Sequence, residues 1–158
     1  MTKLELMLSK IEPILEKEFY KAGKIETNPM WFLEDEAAIE KMICFTPFDK
    51  DSDKDIVAQG MKILFEQKDI ARYLAVMESR FVTRKDSSDK RLPSECDDRM
   101  EALVIIGEDR DTGETLMKMK KIDRSGGKVV LIDEEPFTKD SSVGGRFFNM
   151  FEQHKTKH

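Results

Sequence analysis

Histidine is almost missing from this chain. Its only two, His154 and His158, fall in the last five of 158 residues, in a Lys-Thr-Lys tail expected to be mobile. A globular body without histidine has no Ser-His-Asp or Cys-His nucleophile and none of the usual His-based zinc or iron sites. Cysteine is equally sparse. Cys44 and Cys96 are the only two, and in a chain read as cytosolic they fit free thiols better than a disulfide. No apolar run approaches the ~20 residues that span a bilayer. Lys3, Glu5, Lys10 and Glu12 interrupt the segment that a signal peptide would keep apolar. The expected location is therefore the cytosol, bacterial or of an infected host, with no membrane partner. Positive charge is short as well: 27 Lys and Arg stand against 32 Asp and Glu, a net charge of −5. That balance gives no broad basic face for nucleic acid. Lys118, Lys120, Lys121, Arg124 and Lys128 form the one local strip that remains a candidate.

What is present comes in ordered blocks. Hydrophobic residues make up 39% and charged residues 37%, which suits one compact core under a heavily solvated surface. Residues 3–22 carry Leu4, Met7, Leu8, Ile11, Ile14, Leu15 and Phe19 at three- and four-residue spacing, which predicts an amphipathic helix. Thr2 and Glu5 have the spacing of a capping box and Gly23 is a natural stop, while Pro13 predicts a kink or a restart. Residues 24–36 read as irregular around the turn signal Asn28-Pro29, with Met30 to Leu33 as a short apolar cluster whose Trp31 belongs to a core or interface. A strand is expected over 38–48, a helix over 54–68 with Ile56, Val57, Gly60, Met61, Leu64 and Phe65 on its buried stripe, and a strand over 71–82. A strand–helix–strand crossover allows those two strands to be parallel. A long polar loop over 83–98 leads to an apolar strand over 99–109, then a hairpin at Asp111-Thr112-Gly113, strands over 114–122 and 128–133, and a short helix over 143–153. The expected fold is a single α+β domain over 1–153 with a flexible tail at 154–158. Its mixed or mostly antiparallel sheet of about five strands lies between an N-terminal and a C-terminal helix, with two helices covering one face.

Chemistry is expected where the apolar strand begins. If the strands over 71–82 and 99–109 pair antiparallel, Glu78 and Arg80 approach Asp98, Arg99 and Glu101 at one sheet end. Mixed carboxylates and guanidinium groups there suit a polar ligand or a divalent ion, and equally a structural ion-pair network. The acidic run Glu108 to Glu114 reads as a solvated hairpin tip rather than a calcium loop, because strands and not helices flank it. Asp49 to Asp55 reads as a helix-capping turn. Gly144-Gly145-Arg146 opens the terminal helix, where Arg146 is a weak candidate for an anion. Lys118 and Lys120, two apart on one strand face, are candidates for phosphate contacts or simply the wet side of a sheet.

Four blocks carry a resemblance: Met77-Glu78-Ser79, Arg91 to Glu95 (Arg-Leu-Pro-Ser-Glu), Asp98-Arg99-Met100-Glu101-Ala102-Leu103, and Gly145-Arg146-Phe147-Phe148. Over roughly residues 40–151 the chain resembles small, uncharacterised proteins of tailed bacteriophages and phage-like regions. It departs from their pattern at Phe81, where Trp is expected, and at Cys96. The resemblance implies a phage origin and supplies no activity. The expected function is a non-enzymatic binding protein, a phage accessory factor that captures a host protein or a small ligand and forms a homodimer through surplus apolar surface on its terminal helices. No catalytic residue or cofactor is assigned. The candidate ligand- or partner-binding residues are Glu78, Arg80, Asp98, Arg99, Glu101 and Arg146. The alternative is a Mg2+- or Mn2+-dependent hydrolase or nuclease acting on a phosphate ester. In it Glu78, Asp98 and Glu101 hold the metal, and Lys118 or Arg99 stabilises the leaving phosphate. A third reading, an acidic mimic of DNA, conflicts with the 27 basic residues.

Overall fold

Helix α1 (Lys3–Ala22) starts where its capping box demands: the Glu5 amide donates to the Thr2 hydroxyl and the Thr2 amide to the Glu5 carboxylate. It stops at Gly23, which takes a left-handed φ of 73°. The helix runs unbroken through Pro13, which lies on the exposed side. There the carbonyl that loses its partner can reach water, so the proline does not end the helix. This computed structural model describes residues 1–23, 29–37, 40–45, 53–81, 100–133 and 150–151. The remaining elements are β1 (Met30–Glu34), β2 (Glu40–Phe45), α2 (Asp53–Gln67), β3 (Arg72–Phe81), β4 (Met100–Asp109), β5 (Thr115–Asp123) and β6 (Val130–Asp133). The terminal helix expected over 143–153 and the loop expected over 83–98 lie outside the described residues, apart from a turn at Met150 and Phe151.

The fold class is α+β, and among the described residues six strands lie in the order β2-β1-β3-β4-β5-β6 with every neighbouring pair antiparallel. The additional strand is β1, formed by the apolar cluster that reads as irregular in the sequence. β2 and β3 do point the same way, as a crossover through α2 allows, but β1 lies between them and pairs with both. The sheet is therefore antiparallel throughout.

The helices cover opposite faces of the sheet, not one. Leu4, Met7, Ile11, Leu15 and Phe19 of α1 pack with Phe32, Leu74, Val76, Leu103, Ile105 and Ile122. Ala58, Met61 and Phe65 of α2 pack on the other face with Trp31, Leu33, Tyr73, Ala75, Val104 and Ile106. The reason lies in β3 and β4. Consecutive apolar residues place side chains alternately on the two faces, so Leu103 to Ile106 bury both faces and both need a cover. The five buried side chains of α1 correspond to roughly 10 kcal/mol of gross apolar transfer before any entropy is counted. Two stripe positions depart from expectation: Ile14 is 55% exposed and Ile56 is 71% exposed. Among the described residues no helix is long and apolar enough to cross a membrane.

Candidate functional site

At the entrance of β4, the antiparallel register sets Arg80 opposite Glu101 and Glu78 opposite Leu103. Glu78 and Glu101 thus come to one end of the sheet. Glu101 accepts from Arg124 at 2.7 Å, and the same guanidinium donates to the carbonyl of Gly23 at the end of α1. A cation there also opposes the negative end of the helix dipole. Asp98, Arg99 and Arg146 lie outside the described residues. Among the described residues no group of three or more His, Cys, Asp or Glu is placed to hold a metal ion.

The opposite end of β4 holds a charge centre that the sequence pattern does not announce. Arg72 is 0% exposed and lies between the carboxylates of Glu34 and Asp109, both buried. Its Nη2 donates to the carbonyls of Asp35 and Glu36. On the other face, the Tyr73 hydroxyl donates to Glu108 at 2.7 Å, and the Met150 amide donates to the same carboxylate oxygen. Burial raises the Tyr73 pKa well above its ordinary value and the Glu108 charge adds to it, so the phenol stays protonated as the donor. The acidic run is indeed a hairpin, with Gly113 at φ 74° and Asp111 to Gly113 exposed. Its stem is not solvated: Glu108 and Asp109 are core groups, because β4 is interior to the sheet and both its faces are covered.

Lys118 and Lys120 do not present themselves to a phosphate. They point up from β5 beneath α1, where Glu12 accepts from Lys118 at 2.8 Å and Lys120 contacts Glu12, Glu16 and Asp133. The Lys120 side chain is 1% exposed. Burial pushes its ammonium pKa down, but the three carboxylates outweigh burial and hold it above the usual lysine range. Burial likewise pushes Glu12 up, and hydrogen bonds from Lys118 and Lys120 reverse that to leave it below the usual value. A hydrogen bond from Lys120 does the same for Asp133.

These shifts fix a pH dependence. Carboxylates depressed in the folded state contribute stability above their unfolded pKa and lose it as pH falls through the folded value. A lysine raised in the folded state contributes fully below its unfolded pKa and loses that only as pH rises through the folded value. The urea midpoint should stay level across about pH 6–9 and fall below about pH 4, where Glu12 and Asp133 protonate. Glu12→Gln with Asp133→Asn should lower the unfolding free energy at neutral pH by roughly 1 kcal/mol and flatten the acid fall. An unchanged acid slope in that double variant would remove these groups as its source.

Beside these paired charges, the described residues also form an apolar concavity. A groove of about 250 Å³ runs between α1 and the β1–β2 edge. Met7, Ile11 and Ile14 of α1 form one side, Phe32 and Leu33 come from β1, and Ile43 comes from β2. Lys10 and Glu34 are its polar members. Ile43 is 45% exposed, Ile14 is 55% exposed, and both line the groove. Sequence reading places Ile14 in the core stripe and reaches no groove, since Ile43 and Phe32 join it only through the β1–β2 register. The one signal was a stripe wider than a single layer of strands needs.

Fold and groove together define an α+β protein whose antiparallel sheet carries a helix on each face and an apolar groove at one edge. In comparisons with known proteins, no family model, no curated protein and no solved structure matches the chain.

Proposed function

We propose that this chain is a non-enzymatic binding protein, an accessory factor of phage origin that captures a host protein by an apolar segment seated in the α1–β2 groove. The observation that carries this reading is the pair Ile14 and Ile43, each about half exposed and both lining one concave surface. Half-exposed isoleucines in a concavity mark a contact surface more often than isolated surface residues do. The groove is smaller than the roughly 300–1,000 Å³ of most small-molecule pockets, which favours side chains of a partner over an enclosed ligand. Arg72, Arg110, Lys118, Lys120 and Arg124 are each held in ion pairs within the fold. That leaves them poorly placed for a reacting phosphate. The metal-dependent alternative needs Asp98 together with Glu78 and Glu101, and Asp98 lies outside the described residues.

Selection of a random-peptide display library on the folded protein tests the proposal. Peptides rich in apolar residues should be enriched, and Ile14→Asp or Ile43→Asp should weaken them at least tenfold while the unfolding free energy from urea titration changes by less than about 0.5 kcal/mol. A library that yields no enrichment over an unrelated protein, or peptides that bind Ile14→Asp as tightly, would overturn it. Light scattering on the same samples separates self-capture from partner capture: a dimer dissolved by Ile14→Asp would make a second copy the occupant instead.

A further inference from the structure

The groove lies at a sheet edge, and the two edges of this sheet differ. At β6, four residues long, the Leu131 amide donates to the Tyr20 hydroxyl of α1 at 3.0 Å. That contact occupies an outward backbone donor and blunts the edge. At β2, six residues long, the strand order ends, and no described strand pairs with its outer side. Ile43 sits on this strand, opposite Phe32 on the α1 face. A strand's outer backbone groups beside an apolar concavity are the two components of recognition by strand addition: main-chain hydrogen bonds supply affinity and alternate side chains supply selectivity.

Charge narrows the partner further. The Glu34 carboxylate at the groove is paired with Arg72, which Asp109 also approaches. Lys10, one helical turn before Ile14, makes no ion pair among the described residues and leaves a positive rim on the groove.

We infer that the occupant is an extended peptide segment that adds to β2 as a further antiparallel strand, with apolar residues at alternate positions on the groove side and an acidic residue reaching Lys10. The inference rests on the groove being the binding surface and specifies how it is used. A residue directly opposite Ile43 projects onto the same face, and its neighbours two positions away do too. One apolar side chain then meets Ile43 and Ile14, and the acidic residue follows along the same face towards Lys10. Intervening residues face the other side and are unconstrained by the groove. The small volume fits one or two side chains of such a strand.

The probe is a fluorescein-labelled peptide, Thr-Ile-Thr-Val-Thr-Glu-Thr, with blocked ends, titrated by anisotropy at low salt. In an antiparallel pair alternate residues direct their N–H groups at the neighbour. Backbone N-methylation of one alternate set should therefore reduce affinity at least tenfold and methylation of the other set by less than threefold. Lys10→Glu should weaken the peptide several-fold, and replacing the peptide's Glu by Lys should restore binding to that variant. Equal effects of the two methylation patterns, or no binding of this peptide alongside Ile14-dependent binding of library-selected peptides, overturn strand addition and leave the groove reading standing. Binding of the probe that Ile14→Asp does not change overturns the groove itself.

Discussion

Replacing Arg72 with alanine is expected to cost about 3–5 kcal/mol, the range for breaking a buried ion pair by removing one partner. The side chain is 0% exposed, and three segments converge on it. Its Nε donates to Glu34, its Nη2 reaches the carbonyls of Asp35 and Glu36, and its Nη1 stands 3.6 Å from Asp109 without a hydrogen bond of its own. Alanine would leave two buried carboxylates facing each other with no cation between them. Desolvation and repulsion then act together, and the loss exceeds that of the pair's own attraction. The urea midpoint measures it directly, with a fall in thermal midpoint on the order of 10 °C. A companion variant keeps this informative: Arg72→Met with Glu34→Gln and Asp109→Asn removes all three charges and should recover most of the loss. If Arg72→Ala costs under about 1 kcal/mol, the cluster behaves as a surface pair and its burial is not energetically felt.

Gly107→Ala should destabilise by about 3 kcal/mol, at the upper end of overpacking costs. Gly107 lies on β4 opposite Leu74, with no Cβ where the two strands meet under the first turn of α1. A Cβ placed there would sit 2.6 Å from Leu74 Cδ2 and 2.7 Å from the Tyr73 carbonyl oxygen. The leucine can rotate, at the cost of disturbing its contact with Leu4. The carbonyl belongs to the backbone of β3 and cannot move without parting the two central strands. The same clash should loosen the Arg72 and Glu108 clusters, since both lie within two residues of the contact on β3 and β4. Gly126→Ala is the control, because nothing lies within 4 Å of its added Cβ. Chemical unfolding of the two variants side by side gives the answer, and equal midpoints would show that β3 and β4 have slack at this crossing.

The two expectations also show where local sequence signals run out. Helix α1 was legible to the residue because its cap, stripe and stop are all local: Thr2 and Glu5, the Leu4–Phe19 spacing, Gly23. The strands β3, β4 and β5 were legible because their apolar runs are long and bounded by polar turns. β1 was not. Five residues with Trp31, Phe32 and Leu33 in sequence show no alternation, since a strand buried on both faces has none, and the preceding Asn28-Pro29 reads as a loop. Missing β1 removes a layer of the argument, because β1 supplies Glu34 to the charge centre and Phe32 to the groove.

Glu78, Arg80 and Glu101 were expected near one another, and the β3–β4 register sets Arg80 opposite Glu101 with Glu78 two positions along. The larger concentration of buried charge lies at the far end of the same strands, where Arg72 and Asp109 are 37 residues apart and Glu34 is 38 residues before Arg72. Each reads alone as a polar flank of an apolar run. Antiparallel pairing turns them into neighbours.

By itself, then, the amino-acid sequence determined helices α1 and α2, the long strands and the α+β class, because periodicity, caps and turn residues act over a few neighbouring positions. It also fixed the composition, with His154 and His158 as the only histidines. Only the tertiary structure decided that the helices cover opposite faces, that Arg72 and Lys120 are buried among carboxylates, and that Ile14 and Ile43 share a groove beside β2, the last described strand of the sheet. Those outcomes depend on strand order and register, which are set by burying both faces of β3 and β4 at once, and no local run of residues carries that information.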